Sequence, residues 1–357
     1  MQKLLIILLL LVSFGTSTHA QEDTTSFEKE YLSGEVINIF TDKNGLTSYE
    51  TRISNGNIVE INTVGEEVEV GTSLYLEYFP EQDVYNFLTV KRQNPIVAML
   101  AVFVVSIIVL AGFKGVRSLL SLAISIGLLF FVLIPLLLSG VDPLLATVIC
   151  GLGILSISIF VTHGFNYQSL VSFLGSFASI LLALGLIFIV NRYASLSGLI
   201  SDEIQYLSFE MNNTLDLVKI ISASIVVGVL GVLDDITITQ VAVVRELSSS
   251  TQASRNEIFK RALRVGKDHI ASLVNTLVFA YVGATLPMIM FISLLEIPFY
   301  ILLSQEFIFI EIMRSLIGAI ALTLAVPLTT WLSTHVFLKH IKRDNHSLES
   351  ACSHGHH

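Results

Sequence analysis

Two hydrophobic rhythms divide the chain. Between residues 26 and 93, apolar and polar positions partly alternate in "SGEVINIF", "LTSYETRI", "NIVEINTV", "TSLYLEYF" and "VYNFLTVK". These stretches are rich in Val, Ile, Tyr, Phe and Thr, which suit a pleated, half-buried surface, so each predicts a strand. Asn44-Gly45 and Asn55-Gly56 supply hairpin-type turns between them. Five short strands predict a small barrel or sandwich of OB or SH3-like type.

From Pro95 onward the alternation gives way to long apolar runs with few charges, near 96–113, 119–139, 144–162, 170–190, 218–240, 270–293 and 314–336. Runs of roughly 18 residues or more cross about 30 Å of hydrocarbon as helices. The expected fold class is therefore an α-helical polytopic membrane protein of about seven transmembrane helices, carrying a small extracytoplasmic β domain at its N-terminal end. Between the fifth and sixth runs, "SRNEIFKRALRVG" predicts a short amphipathic helix, with a Ser254/Glu257 capping box and Gly266 as its stop.

The first residues, "MQKLLIILLLLVSFGTSTHAQED", join Lys3 to a short apolar core and small residues ending at Ala20. This predicts a secretory signal cleaved after Ala20, the alternative being an uncleaved anchor. The expected division is thus 1–20 signal peptide, 21–95 β domain, 96–338 membrane domain and 339–357 cytoplasmic tail.

Charge fixes an orientation. The loops holding Lys114 and Arg117, then Arg245, Arg255, Lys260, Arg261, Arg264 and Lys267, then Lys339, Lys342 and Arg343, all fall on one side. The opposite loops carry Arg192 beside Asp142, Asp202, Glu203, Glu210 and Glu296. Lys/Arg excess marks the cytoplasmic side, so the β domain is expected outside and the C-terminus inside a plasma membrane. Residues 21–95 hold fourteen Asp/Glu against five Lys/Arg, which accounts for the whole net charge of −9 and argues against nucleic-acid binding. Two cysteines, Cys150 and Cys352, cannot make a disulfide framework.

Polar residues inside the apolar runs are the candidate chemistry. "GVLGVLDDITITQ" (228–240) places Asp234 and Asp235 in a span, or at its headgroup end if the span stops near Leu233. Ser224, Gly228, Gly231 and Asp235 recur on one helix face, with Thr239 extending the line. Small residues in such a stripe allow close helix approach, which gives Asp235 the seat toward a neighbour or cavity. Asp234 points about 100° away, near Thr237 and Gln240. In the next span Asp268, Ser272 and Asn275 form a polar stripe, overlapped by His269, Ser272 and Thr276. The bland reading makes Asp268 and His269 interfacial caps; Asn275, two turns deeper, favours a packing or functional role. Ser172, Gly175, Ser179 and Ala183 form a further close-packing stripe, and Gly283 with Pro287 predicts a kink. The tail residues Cys352, His354, His356 and His357 are soft-metal donors at irregular spacing, from which no specific metal site is expected.

"GVLGVLDDITITQ" followed by "VGKDHIASLVNTLVFAYVGATLP" resembles the YibE/F family of bacterial multi-pass membrane proteins, as do "GFKGVRSLLSL" and "VTHGFNYQSL". The resemblance covers roughly 96–336. It implies a bacterial membrane protein with a transporter label and brings no catalytic residues.

The expected function is a permease for protons, cations or a small solute, its path lined by Asp234, Asp235, Thr239, Gln240, Asp268, His269, Ser272 and Asn275, since carboxylates with hydroxyl and amide oxygens suit protons and hard cations. No cofactor is expected. The expected partners are the lipid bilayer, a small ion or solute, and an additional membrane subunit or a second copy. The alternative is a non-transporting sensor or assembly protein whose outer β domain binds a ligand. An enzyme is not expected: no nucleophile elbow, HExxH site or phosphate loop occurs.

Overall fold

The computed structural model describes residues 29–41, 47–62, 67–212, 214–250 and 253–353, with main chain only at 41, 250 and 338–353. The signal segment, the Asn44-Gly45 turn, the Cys352 side chain, and His354, His356 and His357 lie outside the described residues. The chain divides into two compact units at Gly112/Phe113.

The first unit carries β1 (Glu30–Thr41), β2 (Thr47–Ile53), β3 (Ile58–Asn62), β4 (Ser73–Phe79) and β5 (Val84–Val90). They form one antiparallel sheet in the order β3-β2-β1-β4-β5, curled into a half-barrel rather than split into a sandwich. The curl comes from β1, which pairs with β4 through Glu30–Glu35 and with β2 through Gly34–Thr41. Its ladder shifts register between Val36 and Asn38, and such a bulge bends a strand and deepens its twist. Alternate residues Val36, Tyr49, Ile53, Ile61, Leu74 and Leu76 fill the concave core. Gly56, at φ 90°, turns the chain between β2 and β3, with Asn55 Oδ1 accepting from the Asn57 N–H at 3.0 Å.

Helices follow. α1 (Gln93–Leu128) is interrupted at Gly112, whose φ 55°, ψ −134° lie outside helical space. It continues through a π segment (Leu129–Leu133) into α2 (Ile134–Leu138), which has a proline in its first turn. Pro135 has no N–H to donate to the carbonyl four residues back, which accounts for the widened turns before it. Then come α3 (Pro143–His163), α4 (Tyr167–Ala194), α5 (Asp202–Glu210) and α6 (Leu217–Ser250). α7 (Arg255–Ala284), α8 (Leu286–Leu294), α9 (Phe299–Leu302) and α10 (Glu306–Ser353) complete the described chain.

Asp142 and Asn166 cap α3 and α4 by accepting from the N–H groups of Leu145 and Ser169, at 3.1 and 2.8 Å. The Ser254/Glu257 capping box starts α7. Gly266 does not end it. The helix runs on to Ala284, so the expected short helix and the sixth span are one element. Gly266 instead marks a close approach: a Cβ there would meet Val326 and lie 2.9 Å from Gln240 Oε1. α7 and α8 meet at a 62° bend where Pro287 opens the second helix.

Among the described residues, five helical stretches are long and apolar enough to cross a membrane: Gln93–Leu138, Pro143–His163, Tyr167–Ala194, Leu217–Ser249 and Glu306–Phe337. The bent α7–α8 pair makes a sixth if it is one span. α6 lies at the centre of the second unit, packed against α3, α4, α7 and α10. Its Val226, Val229, Leu230, Leu233 and Ile236 meet Leu155 and Ile159 of α3, Ile180 and Ala183 of α4, and Ala321 and Ala325 of α10 in one apolar core.

Candidate functional site

Successive residues on a helix point about 100° apart, so Asp234 and Asp235 of α6 cannot share a direction. Asp234 is the inward one. It is half-buried beside α3, where Ser158 donates its hydroxyl proton to Asp234 Oδ2. Its second oxygen, Oδ1, is buried with no hydrogen-bond partner among the described residues.

Asp235 is exposed, as are Ser224, Gly231 and Thr239 on the same stripe. The seat that helical spacing gave to Asp235 therefore belongs to Asp234. The reason is that α6 turns its large apolar residues, not its small ones, toward α3, α4 and α10.

Below Asp234 the interior stays polar. Thr237 Oγ1 lies 2.8 Å from Ser176 Oγ of α4, and Gln240 Nε2 donates to the Ala262 carbonyl (3.0 Å) and to Thr330 Oγ1 of α10 (2.7 Å). Ser172, Ser176, Ser179, Thr329, Thr330 and Ser333 are all fully buried. The Ser172 and Thr329 hydroxyls have no partner among the described residues. Gly175 makes this seam possible, since a Cβ there would lie 2.5 Å from Thr329 Oγ1. A carboxylate with one unpartnered oxygen above a lane of hydroxyls is suited to accept a proton or a weakly held cation. Among the described residues no group of three or more His, Cys, Asp or Glu side chains is placed to hold a metal ion.

The residues expected on α7 lie elsewhere. Asp268, His269, Ser272 and Asn275 are all exposed. Gly266 packs on α6 and α10, and Asp268 and Asn275 stand about 200° and about 180° around the helix from it. The structure does not bring them to Asp234.

One cluster escapes the sequence reading. Arg314, eight residues into α10, donates Nη1 to Glu311 Oε1 at 2.7 Å and Nη2 to Ser224 Oγ at 3.3 Å. The Tyr281 hydroxyl of α7 sits against Gly228, 2.7 Å from where a Cβ would be. The available signal was an i,i+3 Glu–Arg pair at the edge of the last apolar run, which reads as a loop when the run is taken to begin at 314.

A family model described as YibE/F-like protein matches residues 99–339. No curated protein and no solved structure matches the chain. The matched stretch spans well over half of the 357 residues and includes Ser158, Asp234, the hydroxyl seam and the Glu311–Arg314 pair. The chain belongs to the YibE/F-like family.

Proposed function

We propose that this membrane protein is a permease that moves protons or a small cation, with Asp234 as the carboxylate on its path. The observation that carries the reading is the Asp234 side chain itself: half-buried in an apolar helix bundle, bonded by Ser158 through one oxygen and buried without a partner among the described residues at the other. Carboxylates within membrane spans are costly unless protonated, paired or hydrated, and they characteristically mark ion and proton paths. The hydroxyls of Thr237 and Ser176 and the amide of Gln240 continue the polar lane. Asp235, Thr239, Asp268, His269, Ser272 and Asn275 enter the path only as a mouth or as a surface shared with another subunit.

Seven spans fit this proposal. The Gly112 break divides the 46-residue stretch Gln93–Leu138 into two pieces, each as long as the ~17 residues a span needs. With the bent pair and the four other helices the total is seven, which puts the β domain outside and the Lys/Arg-rich loops in the cytoplasm. The test is flux into proteoliposomes under imposed proton and cation gradients. Flux present in wild type and lost in Asp234→Asn upholds the proposal; flux unaltered in the variant refutes it.

A second reading, a sensor acting through its β domain, draws on a cleft of about 280 Å³ lined by Glu35, Arg52, Ser73 and Lys91. It gains if deleting 26–93 abolishes function while Asp234→Asn does not.

A further inference from the structure

The bend between α7 and α8 and the first turns of α10 line a half-open cavity of about 420 Å³. Its walls are apolar, with Met288 and Ile292 from α8 and the aromatic rings of Tyr281 and Phe299. Among the fifteen side chains that line it, Glu311 alone carries a formal charge, joined by the hydroxyl groups of Tyr281, Thr285 and Ser315.

Glu311 is held in place. Arg314 bonds Oε1 at 2.7 Å and reaches Ser224 with its other amino group, so the carboxylate is fixed from behind. No hydrogen bond to Glu311 Oε2 or to the Tyr281 hydroxyl is made within the described residues. Arg314 is not among the lining side chains, so the cavity meets the negative member of the pair.

From this arrangement we infer that the cavity is a binding site for an organic monocation with an apolar body. The walls offer too few oxygens to replace the hydration of a hard inorganic cation, which takes six or more oxygen ligands. An anion would face Glu311. A cation carried on apolar groups gains on three counts at once: burial against the walls, attraction to the Tyr281 and Phe299 rings, and charge pairing at Oε2. It adds to the Glu311–Arg314 pair at the open oxygen and need not displace the guanidinium. Asp234 takes no part in this site, and the cation can bind here whether or not the protein transports.

The experiment is equilibrium binding to the full chain in lipid nanodiscs, with protein-free discs subtracted. The probes are tetraphenylphosphonium and tetraphenylborate, which share a shape and differ in sign. The cation binds saturably and the anion does not. Glu311→Gln weakens the cation at least tenfold, Ser315→Phe, which fills the cavity, abolishes its binding, and Asp234→Asn leaves it unchanged. Equal binding of both probes would mean an apolar pocket filled by lipid chains and would overturn the inference. Cation binding insensitive to both Glu311→Gln and Ser315→Phe would overturn it too, as would no saturable binding in wild type.

Discussion

Replacing Gly175 with alanine tests the packing that encloses the hydroxyl seam. The new Cβ would lie 2.5 Å from Thr329 Oγ1 and 3.2 Å from both Thr329 Cβ and Cγ2. Thr329 is fully buried and β-branched on a helix, so it has little rotamer freedom with which to withdraw. α4 and α10 must part, or Thr329 must leave its well; overpacking of this kind costs about 1–3 kcal/mol. Thr329→Ala removes Oγ1 and Cγ2 and leaves only the 3.2 Å contact. Alone, that change is close to neutral: losing a buried methyl costs about 0.8 kcal/mol, and deleting a buried hydroxyl without a partner returns a comparable amount. The double variant should therefore recover most of the loss, with a coupling of about 1–2 kcal/mol, within the range for residues in contact. The assay is denaturation of the four proteins in mixed micelles. A Gly175→Ala protein as stable as wild type, or a double variant no better than the sum of its parts, would refute the close approach.

Two further changes probe other contacts. Gln240→Leu removes the bonds to the Ala262 carbonyl and Thr330 Oγ1; it should destabilise by about 1–2 kcal/mol in the same assay, since Thr330 keeps its 2.6 Å bond to the Val326 carbonyl. The Lys219 ammonium, with the Leu145 N–H, holds Asp142 below its ordinary value of 3.8. A carboxyl lowered on folding stabilises above that ordinary value and loses its contribution as pH falls through the lowered one. Wild type should accordingly lose its small stability margin over Asp142→Asn as the pH drops below about 4, the pair being exposed and screened by solvent; a margin constant with pH would refute the pairing.

Much of the fold was legible because the two periodicities differ so sharply. Alternation in residues such as Tyr49, Thr51 and Ile53 marks strands, and all five appear near the expected places. The sheet's curl was not legible, since it depends on where β1 changes partners. The apolar runs locate the helices, and Pro287 locates the bend. They say nothing of α7 running unbroken past Gly266, because a glycine that ends a helix and one that admits a neighbour look alike in one chain.

The candidate site divides the same way. Spacing separates Asp234 from Asp235 by a fixed angle and leaves open which faces inward. Close approach by small residues pointed to the Gly228–Gly231 face; in the fold the large face of Val226, Leu230 and Leu233 is the buried one. Ser158, the partner of Asp234, lies 76 residues away in an apolar run that gives no sign of a contact. Glu311 and Arg314 look interfacial until α10 is seen to begin at Glu306.

The most direct measurement is paired: proton and cation flux in proteoliposomes for Asp234→Asn and Asp235→Asn, reconstituted at equal density beside wild type. An inward Asp234 on the path predicts that flux is lost in Asp234→Asn and largely kept in Asp235→Asn. Flux kept in Asp234→Asn, or lost only in Asp235→Asn, would contradict it.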